Sequence, residues 1–255
     1  MKIFSYNVNG IRAALGKGLA EWIDSVKPDV VCIQETKALA EQFDTSVFES
    51  MGYHQYWMPA EKKGYSGVGI LSLTEPDLVH YGMGLEKYDS EGRVIRADYG
   101  DLSVISAYFP SGTSGDIRQD FKIDFLSDFS AFIIELILER PRLIISGDFN
   151  ICHKLIDINR PDKHLKSSGF LPEEKAWFDS FLDIGFVDSF RVFDPSPDQY
   201  SWWSYRANSR AKNLGWRIDY HLVTKPVGTK LTGAGISSLA VHSDHCPVWV
   251  ELSAE

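Results

Sequence analysis

Ser243-Asp244-His245-Cys246, followed at once by Pro247-Val248-Trp249-Val250, is the stretch on which the reading of this chain turns. A carboxylate beside an imidazole at the mouth of a buried strand is costly unless both groups find partners. Other strand ends offer them. Tyr6-Asn7-Val8-Asn9 follows Lys2-Ile3-Phe4, and Gln34-Glu35-Thr36-Lys37 follows Val30-Val31-Cys32-Ile33. Asp148-Phe149-Asn150 follows Leu143-Ile144-Ile145, and Asp219 enters Tyr220-His221-Leu222-Val223. Apolar strands that repeatedly stop at carboxylates and carboxamides imply a polar cluster at one edge of packed sheets. Such a cluster suits a hard divalent cation and a phosphate, so the pattern points to a metal-dependent phosphodiesterase.

Strand-like and helical segments alternate along the chain. Leu19, Trp22, Ile23 and Val26 make a helical stripe ended by Pro28. Phe121, Phe125, Phe129, Phe132, Ile133 and Leu136 make a longer one ended by Pro141, and a third, after Pro172, carries Trp177, Phe178, Phe181 and Leu182. Between them lie the apolar runs Val68–Leu73, Val94–Tyr99, Leu102–Tyr108 and Leu143–Ser146, with Gly100-Asp101 predicting an antiparallel hairpin. Ile3…Asn7-Val8-Asn9 and Ile144…Asp148-Phe149-Asn150 share a rhythm of strand, acid or amide, apolar residue, Asn. Two sheets packed face to face, with helices outside, would bring both ends to one rim.

No linker or low-complexity tract divides the 255 residues, and 44% hydrophobic content allows one large domain over 1–255. The formal charge of -9 argues against polyanion binding over the whole surface, although local basic residues and a bound cation can still serve a phosphate. Cys32, Cys152 and Cys246 lack CxxC spacing, which disfavours a disulfide framework or structural zinc. Without a leader-like or membrane-length apolar run, the expectation is a cytoplasmic protein with no membrane association.

The residues permit specific chemistry. Mg²⁺ takes oxygen ligands and uses few protein carboxylates, and Glu35 is the best candidate, with Asn7 and Asn9 as ligands or positioners of water. Alone, Asn7-Val8-Asn9-Gly10 reads as a turn. His245 suits a proton carrier or a cationic contact to phosphate, with Asp219 fixing its other nitrogen; a lone histidine would read as core. Asp148 and Asn150 suit orienting and deprotonating water, or holding a non-bridging oxygen. Tyr108 suits donation to phosphate or to the departing oxygen. From Trp202 to Asp219 the chain interleaves Trp202, Trp203, Tyr205 and Trp216 with Arg206, Arg210, Lys212 and Arg217, a composition that can grip backbone phosphates while rings meet bases or sugars. Lys37, Lys62, Lys63 and Arg118 could extend a basic path.

Taken together and in this order, these motifs resemble the exonuclease III family of class II apurinic/apyrimidinic endonucleases, within the endonuclease/exonuclease/phosphatase superfamily. The resemblance runs from Lys2 nearly to the last residue. It also rests on Gly67-Val68-Gly69-Ile70, Tyr108-Phe109-Pro110, Gly169-Phe170 and Gly215-Trp216-Arg217-Ile218-Asp219-Tyr220. It implies an α/β fold, a four-layered sandwich of two packed mixed β-sheets flanked by helices. It further implies Mg²⁺- or Mn²⁺-dependent hydrolysis of double-stranded DNA 5′ to abasic sites, leaving a 3′-hydroxyl, with 3′-to-5′ exonuclease or 3′-end trimming, by a monomer. Carried over, Glu35 is the principal metal ligand beside Asn7, with Asn9 and Asp244 completing the metal environment. Asp148 activates water with help from Asn150, while His245, oriented by Asp219, and Tyr108 attend the scissile phosphate. Trp202, Trp216 and Ile218 fall where the family forms its pocket for the flipped abasic sugar. Arg206 falls where relatives carry a side chain that penetrates the groove. Ser111, Ser114, His164 and Ser167 depart from the better-known pattern and bear on lesion affinity. Hydrolases of RNA or phosphoinositides, and non-catalytic nucleic-acid-binding regulators, share this fold. The Trp202–Trp216 segment favours abasic DNA, and the full set of polar residues argues against a non-catalytic protein.

Overall fold

The computed structural model describes residues Met1 to Ser253. Its frame is a pair of six-stranded mixed sheets. The first has the order β13 (Leu231–Ile236), β14 (Val248–Leu252), β1 (Lys2–Asn7), β2 (Val30–Gln34), β4 (Val68–Ser72), β3 (His54–Met58). The second runs β5 (Leu78–Tyr81), β6 (Val94–Tyr99), β7 (Leu102–Tyr108), β8 (Arg142–Asp148), β12 (Asp219–Thr224), β9 (Phe186–Asp188). Each sheet has a parallel pair at its centre, β1 with β2 and β7 with β8, and its other neighbours are antiparallel. A two-stranded ribbon, β10 (Trp202–Trp203) with β11 (Gly215–Trp216), stands apart.

Alternation along the strands builds the layers. Ile3, Val30, Cys32, Val68, Ile70, Val104, Ile144 and Val250 form the apolar seam between the sheets. Phe4, Tyr6, Val31 and Ile33 point the other way, onto Leu19 and Ile23 of the helix Leu19–Val26. On the opposite flank Ile105, Leu143 and Ile145 meet Phe125, Phe129 and Ile133 of the helix Asp116–Glu139 and Phe178 and Phe181 of the helix Pro172–Asp183. Each fully buried ring contributes roughly 2–3 kcal/mol. Helix, sheet, sheet, helix is the layered α/β sandwich expected from the sequence.

The helix ends follow local rules. The first stripe stops at Lys27, whose left-handed φ of 40° precedes Pro28, a residue that disfavours helical geometry before it. Pro172 opens the third helix, where its missing N–H costs nothing, and Glu174 reaches back to the Leu171 N–H as a cap. The hairpin at Gly100-Asp101 pairs Tyr99 with Leu102 as predicted. Strands β3, β5 and β13 lie at or beside sheet edges and had no sequence signal of comparable strength. Among the described residues no helix is long and apolar enough to cross a membrane.

Candidate active site

The carboxyl ends of both central parallel pairs face one rim. Register places Asn7 beside Gln34 in one sheet, and Tyr108 beside Asp148 beside Asp219 in the other. The Asn7 amide nitrogen bridges the sheets, donating to Glu35 Oε1 at 2.7 Å and Asp148 Oδ2 at 2.8 Å. Its oxygen accepts the Asn9 N–H at 3.0 Å, so Asn7 is held between the two carboxylates and the loop that follows its strand. The loops beyond the strands are tightly wound. Asn9, Glu35, Lys37 and Asn150 all have left-handed φ, at 46°, 53°, 50° and 51°. Non-glycine residues hold that conformation at a cost, and such strain gathers at working sites. Gly67 permits the Glu35 loop, because a Cβ there would lie 2.2 Å from Thr36 Oγ1.

His245 Nδ1 donates to Asp219 Oδ2 at 2.9 Å, which leaves Nε2 facing Asp148 Oδ2 at 3.9 Å. Burial works against the imidazolium, but Asp219, Asp148 and Asp244 outweigh it and push His245 up to about 10. Asp148 is also raised, by burial and by Asp219 and Glu35, against the pull of His245. Ser201 completes the pair: its hydroxyl donates to Asp219 Oδ2 at 2.6 Å and accepts the N–H groups of Ile218 and Asp219. Nothing local marks Ser201 in the sequence, because its role arises from backbone pairing of residues 201–203 with 244–246.

A cleft of about 580 Å³ opens from this cluster. Glu35, Tyr108, Asp148, Asn150, Asp244 and His245 line one side, and Trp202, Trp216 and Ile218 another. The ribbon sets Trp202 opposite Trp216, edge to face at 6.0 Å, and Trp202 Nε1 donates to Asp244 Oδ2 at 3.0 Å. Burial opposes the Asp244 charge, yet His245 and the hydrogen bonds from Asn9 and Trp202 hold its carboxyl below the usual range. Asn9 is a tie between Asp244 and Lys37, and Lys37 Nζ also sits 2.7 Å from Glu35. Burial, with Glu35 and Asp148, raises the Tyr108 hydroxyl well above its ordinary value, leaving it protonated as a donor. The remaining wall is rich in hydroxyls, from Ser111, Thr113, Ser167 and Ser168, with His164 edge-on to Trp216 at 5.0 Å.

The basic segment departs from expectation. Arg217 is buried and forks onto Asp188 while also meeting Asp157. Arg210 binds the carbonyls of Ser238, Ala240 and Ser243 and lies over Trp203, and Lys212 folds back to the Ala207 carbonyl. Arg118 is engaged by Glu91 and Tyr65. Arg217 and Arg210 are structural ties that composition could not separate from phosphate contacts. Arg206 is exposed on a turn outside the cleft lining.

The sequence profile of the Endonuclease/Exonuclease/phosphatase family matches residues 4–245. The chain belongs to this family. It is 40% identical over 258 residues to the DNA repair nuclease APEX1 of Danio rerio, covering 99% of this chain and 82% of that protein. It is also 40% identical to an exodeoxyribonuclease of Bacillus subtilis, over 97% of this chain and 98% of the relative. An AP endonuclease structure from Archaeoglobus fulgidus superposes with a TM-score of 0.92 at 31% identity, each chain covered in full. A 3′ phosphatase from Neisseria bound to a product DNA hairpin gives the same TM-score at 29% identity, again over both full chains.

In this member of the endonuclease/exonuclease/phosphatase family the residues suit a divalent cation. Ligand atoms of Glu35, Asp148 and His245 lie within 4.8 Å of one another, with Asp219 behind them. Burial and the neighbouring Asp219 and Glu35 raise the proton affinity of Asp148, so positive charge is favoured beside it, and the carboxylate oxygens match a hard ion. The carboxylates around His245 favour its imidazolium form, which has no lone pair to give, so carboxylate oxygens are the natural donors.

Proposed function

We propose that the chain is a divalent-metal-dependent DNA-repair phosphodiesterase that cuts the backbone 5′ to abasic sites, leaving a 3′-hydroxyl, and that also trims 3′ ends. The observation that carries the reading is the shared cleft. A hydrolytic cluster opens directly into a pocket walled by Trp202, Trp216 and Ile218, with room for a sugar turned out of the duplex. The names of the relatives, and the DNA-bound 3′ phosphatase, support DNA as substrate.

Glu35 is assigned as the principal ligand for Mg²⁺ or Mn²⁺, with Asn7, Asn9 and Asp244 completing the metal environment. A bound cation supplies Lewis-acid charge against the phosphate. Asp148, oriented by Asn7 and Asn150, takes the proton of the attacking water. The water oxygen bonds to phosphorus, the bond from phosphorus to the 3′ oxygen breaks, and that oxygen receives a proton for which Tyr108 is the donor. His245, held charged by Asp219, faces a non-bridging oxygen. Trp202, Trp216 and Ile218 receive the abasic sugar, and Arg206 contacts the duplex beyond the cleft.

A labelled duplex with one stable abasic analogue, incubated with Mg²⁺ or with chelator, tests the reading. A recessed undamaged duplex runs alongside. Metal-dependent incision 5′ to the lesion supports it; digestion of the recessed 3′ end alone would leave only the trimming activity. Absence of both with Mg²⁺ and with Mn²⁺, by folded protein, would overturn it.

A further inference from the structure

Behind the cleft, Lys122 and Glu174 form an ion pair at 2.6 Å with both side chains 0% exposed. Burying two charges is expensive, and replacing such a pair by neutral groups is often neutral or stabilising, so its presence calls for a purpose beyond stability. Its contacts supply one. Lys122 Nζ donates to the Asn150 carbonyl at 2.8 Å, on the residue whose left-handed backbone points an N–H at Asp148 Oδ1. Glu174 Oε2 accepts the Gly169 N–H at 2.7 Å and the Leu171 N–H at 2.9 Å. Its other oxygen accepts Gln119 at 3.1 Å. Gly169 has a φ of +92° and packs so closely that a Cβ would lie 2.9 Å from the Asn150 carbonyl oxygen and 3.0 Å from the Trp216 ring. The Gly169 carbonyl then accepts the Cys152 N–H at 2.7 Å.

We propose that Lys122 and Glu174 are positioning residues that lock Asn150, and through it Asp148, to the segment 167–171 against which Trp216 packs. One buried pair then sets the water-activating group and the pocket wall in common register. The proposal rests on the phosphodiesterase reading above for its kinetic consequence, but its structural consequence stands apart from any substrate.

The test compares the intact protein with Lys122→Met/Glu174→Gln, which removes both charges together and keeps an acceptor for Gly169 and Leu171. Hydrogen exchange is read at residues 148–152 and 167–171, and kcat and KM are read on the abasic duplex with Mg²⁺. We expect exchange in both segments to rise at least tenfold, with unchanged urea midpoint, and kcat to fall at least tenfold while KM moves less than threefold. Gly169→Ala, which presses on Asn150 and Trp216 while leaving both charges of the pair in place, is expected to lower kcat likewise and serves if the double variant does not fold. Unchanged exchange, or wild-type kcat in folded variants, would overturn the proposal. Raised exchange in both segments, together with an intact protein inert on abasic DNA, would uphold the lock and overturn the substrate reading instead.

Discussion

Asp148 sits where a base is needed and is oriented from both sides, by Asn7 across the sheets and by Asn150 from its own loop. Asp148→Asn keeps the shape and removes the basic oxygen. It is expected to lower kcat by about 10³-fold or more while binding to an abasic duplex stays within threefold; parallel loss of binding would point to a damaged fold rather than a lost base. Trp216 has a different task, since it touches the cleft but not Asp148. Trp216→Ala should reduce abasic cleavage about tenfold and 3′-end trimming much less, because only the former fills the pocket. Equal losses on the two substrates would remove Trp216 from the pocket. The position of Asp148 was legible in the residues because strand ends announce themselves: apolar alternation stops, and a carboxylate or amide follows. Lys122 and Glu174 were not, since each lies within a helical stripe and only tertiary packing reveals that they meet.

At the level of elements, the ribbon β10–β11 joins the aromatic wall to the tetrad carrying His245. The Ser201 carbonyl accepts the Cys246 N–H at 2.7 Å, and Trp203 N–H donates to the Asp244 carbonyl at 3.0 Å. Arg210 fastens the same unit from the side through the carbonyls of Ser238, Ala240 and Ser243. Arg210→Ala is therefore expected to destabilise the protein by about 2 kcal/mol, measured as a shift in urea midpoint at constant slope. A change below about 0.5 kcal/mol would mean that water replaces these bonds freely. Sequence reading recovered the long helices and central strands, whose periodicity is strong. The internal ties of Arg210 and Arg217 were not legible, because a guanidinium that staples carbonyls or carboxylates and one that contacts phosphate have the same composition.

For the molecule as a whole, the interior between the sheets is not purely apolar. Ser146 and His221 share a hydrogen bond at 2.7 Å, and His221 Nε2 lies 3.0 Å from the Val248 carbonyl, tying one sheet to the other. Burial lowers His221 from 6.5 to about 4, against smaller opposing effects of Val248 and Asp188. In that interval the unfolded chain binds a proton that the folded chain refuses. The corresponding stability is present above pH 6.5 and declines as the pH falls through the window, the loss reaching about 3 kcal/mol once both states are protonated. Urea unfolding at pH 7.5 and 4.5 checks this: His221→Gln should lose less stability on acidification than the parent. Identical losses would show that other groups carry the acid sensitivity.

The left-handed backbone at Asn9, Glu35, Lys37 and Asn150 sets folding and chemistry against each other. At each of these positions glycine would relieve the strain, so selection for robustness alone would drift toward it. A polar residue held in that conformation gives up durability for what its side chain contacts. A library screened only for heat resistance should enrich glycine there, and each such survivor should be a more durable protein that has forfeited part of its catalysis.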